Sequence, residues 1–119
     1  MKEPRFRTAL KLNVYVTKKD IKEGNPCKGY SCPISNAVNR ILKKNGYHCI
    51  YVFSNVVGIH FYTHDKDLEA KRLFSVEVPP KCCVFIEDYD TTKINKCYPF
   101  RFVLEIDALQ LAILEGTKK

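Results

Sequence analysis

Residues 31–46 read Ser-Cys-Pro-Ile-Ser-Asn-Ala-Val-Asn-Arg-Ile-Leu-Lys-Lys-Asn-Gly, and this stretch decides how the fold is read. Ile34, Ala37, Val38, Ile41 and Leu42 recur at intervals of three and four, which puts all five on one stripe of an α-helix. Pro33 suits the first helical turn, where its missing N–H would have had no partner, with Ser31 or Cys32 at the cap position. Asn45-Gly46 supplies a left-handed stop, and Lys43 and Lys44 sit at the negative end of the helix dipole. A helix with one apolar stripe must bury it against another layer, so the flanks are read for that layer.

Upstream, Leu10, Leu12, Val14 and Val16 alternate with Lys11, Asn13, Tyr15 and Thr17, the period of a strand with one buried face. Between them and the helix, Lys18 to Ser31 gathers Gly24, Asn25, Pro26 and Gly29 and reads as a long basic loop. Downstream, Tyr47 to Phe53 and Val56 to Thr63 are β-branched and aromatic runs around Ser54-Asn55, the pattern of a hairpin. A polar loop from His64 to Glu69 follows, then a strand from Arg72 to Val78 that ends at Pro79. Pro80 opens a second helix with Cys82, Phe85, Ile86 and Tyr89 on one face. Thr91 to Pro99 is a connection, Phe100, Phe102, Leu104 and Ile106 alternate in a final strand, and Asp107 is placed to cap a short C-terminal helix through Leu114. The expected fold is α+β: one domain over residues 1–119, with a mostly antiparallel sheet of about five strands and two helices packed on one face. The other sheet face would be open to solvent or a partner, with Tyr15, Tyr51, His60 and Tyr62 able to line it or to serve ordinary packing.

The chain is 119 residues long with a net charge of +7. Residues 1–46 carry eleven Lys and Arg against three acids, while residues 47–119 carry nine against ten. The positive field belongs to the first third and raises encounter rates with anionic partners without choosing among them. No apolar run approaches the roughly 18 residues that span a bilayer, and Met1 to Thr8 lacks the hydrophobic stretch of a signal peptide, so a cytoplasmic, membrane-free protein is expected. In that reducing compartment the six cysteines are expected to be free thiols.

Asp20-Ile21, Gly24, Cys32-Pro33-Ile34, Ala37 and Arg40, followed by Val78-Pro79, Phe85-Ile86, Tyr89-Asp90, Pro99-Phe100 and Phe102, form a pattern over roughly residues 14 to 106. It resembles a group of small uncharacterised bacteriophage and mobile-element proteins. The resemblance implies a mobile-element setting, hence the cytoplasm of a bacterial host, and brings no activity with it. Arg40 alone in the pattern lacks a packing explanation, and two readings stand beside each other: pairing with Asp20, or contact with an anion.

Catalytic vocabulary is sparse. Cysteines and His48, His60 and His64 are present, yet none sits in a nucleophile-elbow or comparable local signature. Neither Cys27 with Cys32 nor the adjacent Cys82 and Cys83 is matched by a second ligand pair at zinc-site spacing. Glu87, Asp88 and Asp90, with Glu105 and Asp107 if the last strand pairs nearby, read as a solvated acidic turn or a divalent-ion cluster, without calcium-loop spacing. No phosphate loop, dinucleotide fingerprint or zinc-protease pair occurs. No cofactor, metal site or enzymatic activity is therefore expected.

The first functional expectation is a non-catalytic accessory protein that binds a bacterial host protein with an acidic surface and modulates or inhibits it, a defence factor being one such target. The alternative is a nucleic-acid or nucleotide-binding protein using the basic first third, with Tyr15 and Tyr30 among its charges. Both rest on Lys18, Lys19, Lys22, Lys28, Arg40, Lys43 and Lys44, and the nucleic-acid reading adds Arg5 and Arg7. Spare strand edges leave a homodimer open as well.

Overall fold

A computed structural model of the chain describes residues 8–25, 28–64, 70–91 and 97–118. The element order is β1 (Thr8–Val16), α1 (Lys18–Glu23), α2 (Pro33–Lys44), β2 (Ile50–Ser54), β3 (Ile59–His64), β4 (Ala70–Val76), α3 (Pro80–Asp90), β5 (Phe100–Asp107) and α4 (Ala108–Gly116). Arg5, Arg7 and Cys27, the polar loop over 65–69 and the connection over 92–96 lie outside the described residues.

Alternation does what the sequence pattern demands in the two outer strands. β1 pairs antiparallel with β5, matching Leu12 with Leu104, Val14 with Phe102 and Val16 with Phe100, so the apolar members of both strands share one face. The remaining strands form a second antiparallel sheet in the order β2-β3-β4. Its inward face carries Ile50, Val52, Ile59 and Phe61, with Phe74 stacked on Phe61 at 4.6 Å between ring centres.

The expected single sheet of five strands is thus corrected to a two-stranded and a three-stranded sheet. The chain leaves β4 through Val78, Pro79 and Pro80, and the Val76–Pro80 segment borders Val103, Leu104 and Glu105 of β5 across an open cleft. Among the described residues no ladder joins β4 to β5; the chain beyond β4, through Pro79 and Pro80, runs beside β5. Helices join the halves instead. α2 packs on both β1 and β2, and Ile34, Ala37, Val38 and Leu42 of its apolar stripe are buried in the common core. On α3, Cys82, Phe85, Ile86 and Tyr89 turn inward as their spacing requires, and Tyr89 Oη donates to the Ile21 carbonyl at 2.9 Å.

Four helices are present among the described residues rather than two with a short tail. The additional one is α1, inside the expected long loop of 18–31. Thr17 Oγ1 accepts from the Asp20 N–H at 3.1 Å while Asp20 Oδ2 accepts from the Thr17 N–H at 2.9 Å, a reciprocal cap that satisfies two otherwise orphaned donors. Asp107 and Gln110 cap α4 in the same way. α2 begins after Cys32, which makes no side-chain cap bond, and it stops before Gly46, whose φ of +94° is the left-handed turn expected there. No helix among the described residues is long and apolar enough to cross a membrane.

Candidate functional site

The basic residues singled out in the sequence divide among several places. Lys19 of α1 and Arg40 and Lys43 of α2 line one open pocket of about 610 Å³ together with Asp20, Glu23, Ser31, Asn36 and Asn39. Lys44 turns to the other side of α2, where it borders a smaller hollow with Asn13, Tyr15 and Thr17. Lys18, Lys22 and Lys28 are exposed, the first two on α1 and the third in the loop before Tyr30.

Of the two readings open for Arg40, pairing with Asp20 is the contact present. Arg40 Nη1 and Nη2 donate to Asp20 Oδ1 and Oδ2 at 2.6 and 2.8 Å, and Nη2 also donates to the Tyr15 carbonyl at 2.8 Å. The carboxylate is 5% exposed and the guanidinium side chain 50%. Burial pushes the Asp20 carboxyl up, but the bonds from Arg40 and Thr17 outweigh it and hold it below the usual carboxylate range. With Asp20 and Glu23 on its rim, this pocket presents cations that are partly balanced.

A second feature lies on the outward face of the β2-β3-β4 sheet. Pleating sends Tyr51 and Phe53 of β2 to the side away from the core, where the register sets Tyr51 opposite Tyr62 and Phe53 opposite His60. Tyr51 and Tyr62 lie nearly parallel, 5.6 Å apart and inclined by 18°. Tyr62 is matched across β3-β4 by Arg72, and His60 Nδ1 lies 2.6 Å from Ser75 Oγ. Burial and then the nearby Arg72 charge lower the His60 pKa, which favours the neutral ring. Tyr15, expected on the same face, instead stands on β1, where Arg101 lies over its ring at 5.7 Å.

Tyr30 completes the cluster from outside the sheet. Its ring centre is 4.8 Å from that of Phe53, 5.5 Å from Tyr51 and 6.2 Å from Tyr62. Just after it in the chain, Ser31 is joined to Asn25, whose N–H donates to the Ser31 carbonyl at 3.0 Å and whose Nδ2 donates to Ser31 Oγ at 3.2 Å. The Gly29-Tyr30 turn is pinned to the body, because the Gly29 carbonyl accepts from the Ser54 N–H at 3.1 Å and from Ser35 Oγ. Ser35 Oγ and Ser54 Oγ are themselves 2.8 Å apart and buried, so the pin is made of satisfied polar groups. A Cβ on Gly29 would fall 2.6 to 2.8 Å from the Phe53 ring, so only glycine allows this approach.

The two features meet at α2. A pocket of about 430 Å³ between α2 and β2 is lined by Asn39, Lys43, His48, Cys49, Ile50 and Tyr51, sharing Asn39 and Lys43 with the basic pocket and Tyr51 with the aromatic face. Asn39 Oδ1 is the one buried side-chain polar atom among the described residues without a hydrogen-bond partner. Such a group costs about 1–3 kcal/mol while it stays unpaired.

Chemistry of other kinds has less to work with. Burial raises the Cys32 thiol and pushes Cys82 up to about 12, so neither is a thiolate at neutral pH. Among the described residues no group of three His, Cys, Asp or Glu side chains converges as metal ligands, the acidic end of α3 included. No family model, curated protein or solved structure matches the chain.

Of the seven cations singled out in the sequence, Lys19, Arg40 and Lys43 line one pocket, although 18–31 reads as loop in the sequence. Asn39 and the pinning of the Gly29-Tyr30 turn onto Phe53 and Ser54 are not apparent from the sequence, although Tyr30 itself stands among the expected basic residues. One signal was available: from Gly24 through His64 the chain contains no Asp or Glu, although Lys28, Arg40, Lys43 and Lys44 all fall there. That acid-free stretch supplies the Tyr30 loop, α2 and two of the three strands of the aromatic face.

Proposed function

We propose that the protein binds single-stranded nucleic acid across the outward face of the β2-β3-β4 sheet. The observation that carries this reading is the gathering of Tyr30, Tyr51, Phe53 and Tyr62 on one face whose strands β2 and β3 hold no carboxylate. Aromatic rings on a sheet stack on unpaired bases regardless of sequence, and a cationic border follows the phosphates. Arg72 at one side and Lys43 at the other supply that border. A duplex hides its base faces, which makes single strands the better fit. Binding of this kind needs no reaction chemistry and suits a small accessory protein of a mobile element.

A host protein with an acidic surface would use the same cations, but an aromatic cluster of one exposed ring, Tyr30, on the half-buried Tyr51, Phe53 and Tyr62 favours nucleic acid, because charge alone would not require it. Fluorescence anisotropy with labelled single-stranded DNA and RNA oligonucleotides at low and raised salt tests the proposal. Expected are saturable binding that falls linearly on a log–log salt plot and a roughly 5- to 100-fold loss in Tyr62→Ala. Absence of binding to every oligonucleotide at low salt overturns the reading and leaves the acidic host protein as its replacement.

A further inference from the structure

Register sorts the outward face of the β2-β3-β4 sheet into three columns. β2 contributes Tyr51 and Phe53, β3 contributes Tyr62 and His60 opposite them, and β4 contributes Arg72 opposite Tyr62 and Ser75 opposite His60. Residues directly opposite share a face. The rings of β2 and Tyr62 therefore make an aromatic side that Tyr30 extends, while β4 makes a polar side with Arg72 and Ser75 exposed. Neither β3 nor β4 holds a carboxylate. We propose that Arg72, His60 and Ser75 form the phosphate lane of the nucleic-acid face, so that a bound single strand lies along β3 with its bases toward β2 and its phosphates toward β4. The proposal rests on the single-stranded nucleic-acid reading and adds the placement of the strand and a proton that binding takes up.

Spacing supports the lane. Tyr62 and His60 stand two residues apart on one strand, about 6.6–6.8 Å at the rise of a strand. Their partners on β4 are thus set about as far apart as successive phosphates of an extended single strand. Arg72 offers a guanidinium, whose parallel N–H groups match phosphate oxygens. At the next step His60 Nδ1 lies 2.6 Å from Ser75 Oγ, and around the ring stand Phe53 of β2 at 6.0 Å between centres, Tyr62 two residues along β3, and Arg72 of β4, whose charge disfavours the imidazolium. Burial first and then Arg72 lower the His60 pKa, so the ring is neutral in the free protein at neutral pH. A phosphate beside Arg72 reverses that balance, because a nearby anion favours the charged form. In the imidazolium both ring nitrogens donate. Ser75 Oγ then accepts from Nδ1, which leaves its own hydrogen for a phosphate oxygen. Proton uptake adds a cation and a hydroxyl donor to the lane. Lys43, beside Tyr51 on the opposite border, would draw the phosphates the other way, and the two placements differ in which cation sets the salt dependence.

The test uses the full chain and oligo-dT, whose bases do not titrate near neutrality, in anisotropy titrations at several salt concentrations, at about pH 5 and about pH 7.5. Each phosphate neutralised on a single strand contributes about 0.7 to the log–log salt slope. Wild type is expected to show a slope steeper by about 0.7 at the lower pH, with binding about fivefold tighter at about 0.1 M salt. His60→Gln, which keeps hydrogen-bonding groups but cannot take up the proton, is expected to lose that difference, and Arg72→Ala to lose about 0.7 from the slope at both pH values. Wild type alone decides the proton: identical slope and affinity at the two pH values overturn the proposal without any variant. A pH response that survives in His60→Gln, or a slope that drops in Lys43→Ala and not in Arg72→Ala, overturns the lane and leaves the nucleic-acid face standing. Failure of wild type to bind at either pH overturns both together.

Discussion

A methyl group added at position 29 would meet three atoms of the Phe53 ring at 2.6 to 2.8 Å, and these are ring atoms held between Tyr30 and His60. Relieving that clash requires the Phe53 ring or Gly29 to shift, so Gly29→Ala is expected to destabilise by about 1–3 kcal/mol in urea denaturation and to weaken the Tyr30–Phe53 proton contacts seen by NMR. Asp20 is a second position where one group settles local structure. Its carboxylate caps α1 and accepts the Arg40 pair, so Asp20→Asn is expected to lose about 1–3 kcal/mol at neutral pH. Because the folded carboxyl titrates below its ordinary value, its stabilisation is whole above the ordinary carboxylate range and disappears as pH falls through the folded value. The difference between wild type and Asp20→Asn in denaturation curves should therefore shrink as pH is lowered toward about 2, and a constant difference would count against this account.

At the scale of elements, α4 is fastened to the body by its cap and by Tyr47, whose hydroxyl donates to Glu115 while Lys118 lies over the ring at 4.5 Å. Burial first, then the Glu115 carboxylate, push the Tyr47 phenol up to about 12. The stabilisation is complete below the ordinary tyrosine range and is lost as pH rises through that range toward the folded value. Tyr51 and Tyr89 are also raised, so an alkaline absorbance titration should show several late tyrosines, one fewer in Tyr47→Phe, together with a stability loss of about 1 kcal/mol at neutral pH. Elements with a single buried face were readable from the sequence: β1 and β5 from alternation, α2 and α3 from their spacing, α4 from Asp107. α1 was hidden because six residues are too few for a periodic stripe, and glycine, asparagine and proline just after it read as loop. The Thr17-Asp20 cap was its one local sign. Pairing between distant strands leaves no local mark, which is why the division into two sheets is not legible in the sequence. The same holds for the candidate site, where charges on one helix were legible and the fold-back of Tyr30 onto Phe53 was not.

For the molecule as a whole, α2 is a partner shared by both sheets, and among the described residues no backbone ladder links them. Leu42→Ala, at a fully buried position on that helix, is expected to cost about 2–5 kcal/mol. Hydrogen exchange should then show β1-β5 and β2-β3-β4 amides losing protection together, because loosening their common support affects both halves; selective loss in one sheet would mean that the halves stand independently. The bonds that hold Gly29 to Ser54 and Ser35 have a kinetic corollary. A ring already seated by main-chain and serine bonds requires no folding step after a ligand arrives, so observed association rates should climb in proportion to ligand concentration, with no plateau from a slow rearrangement.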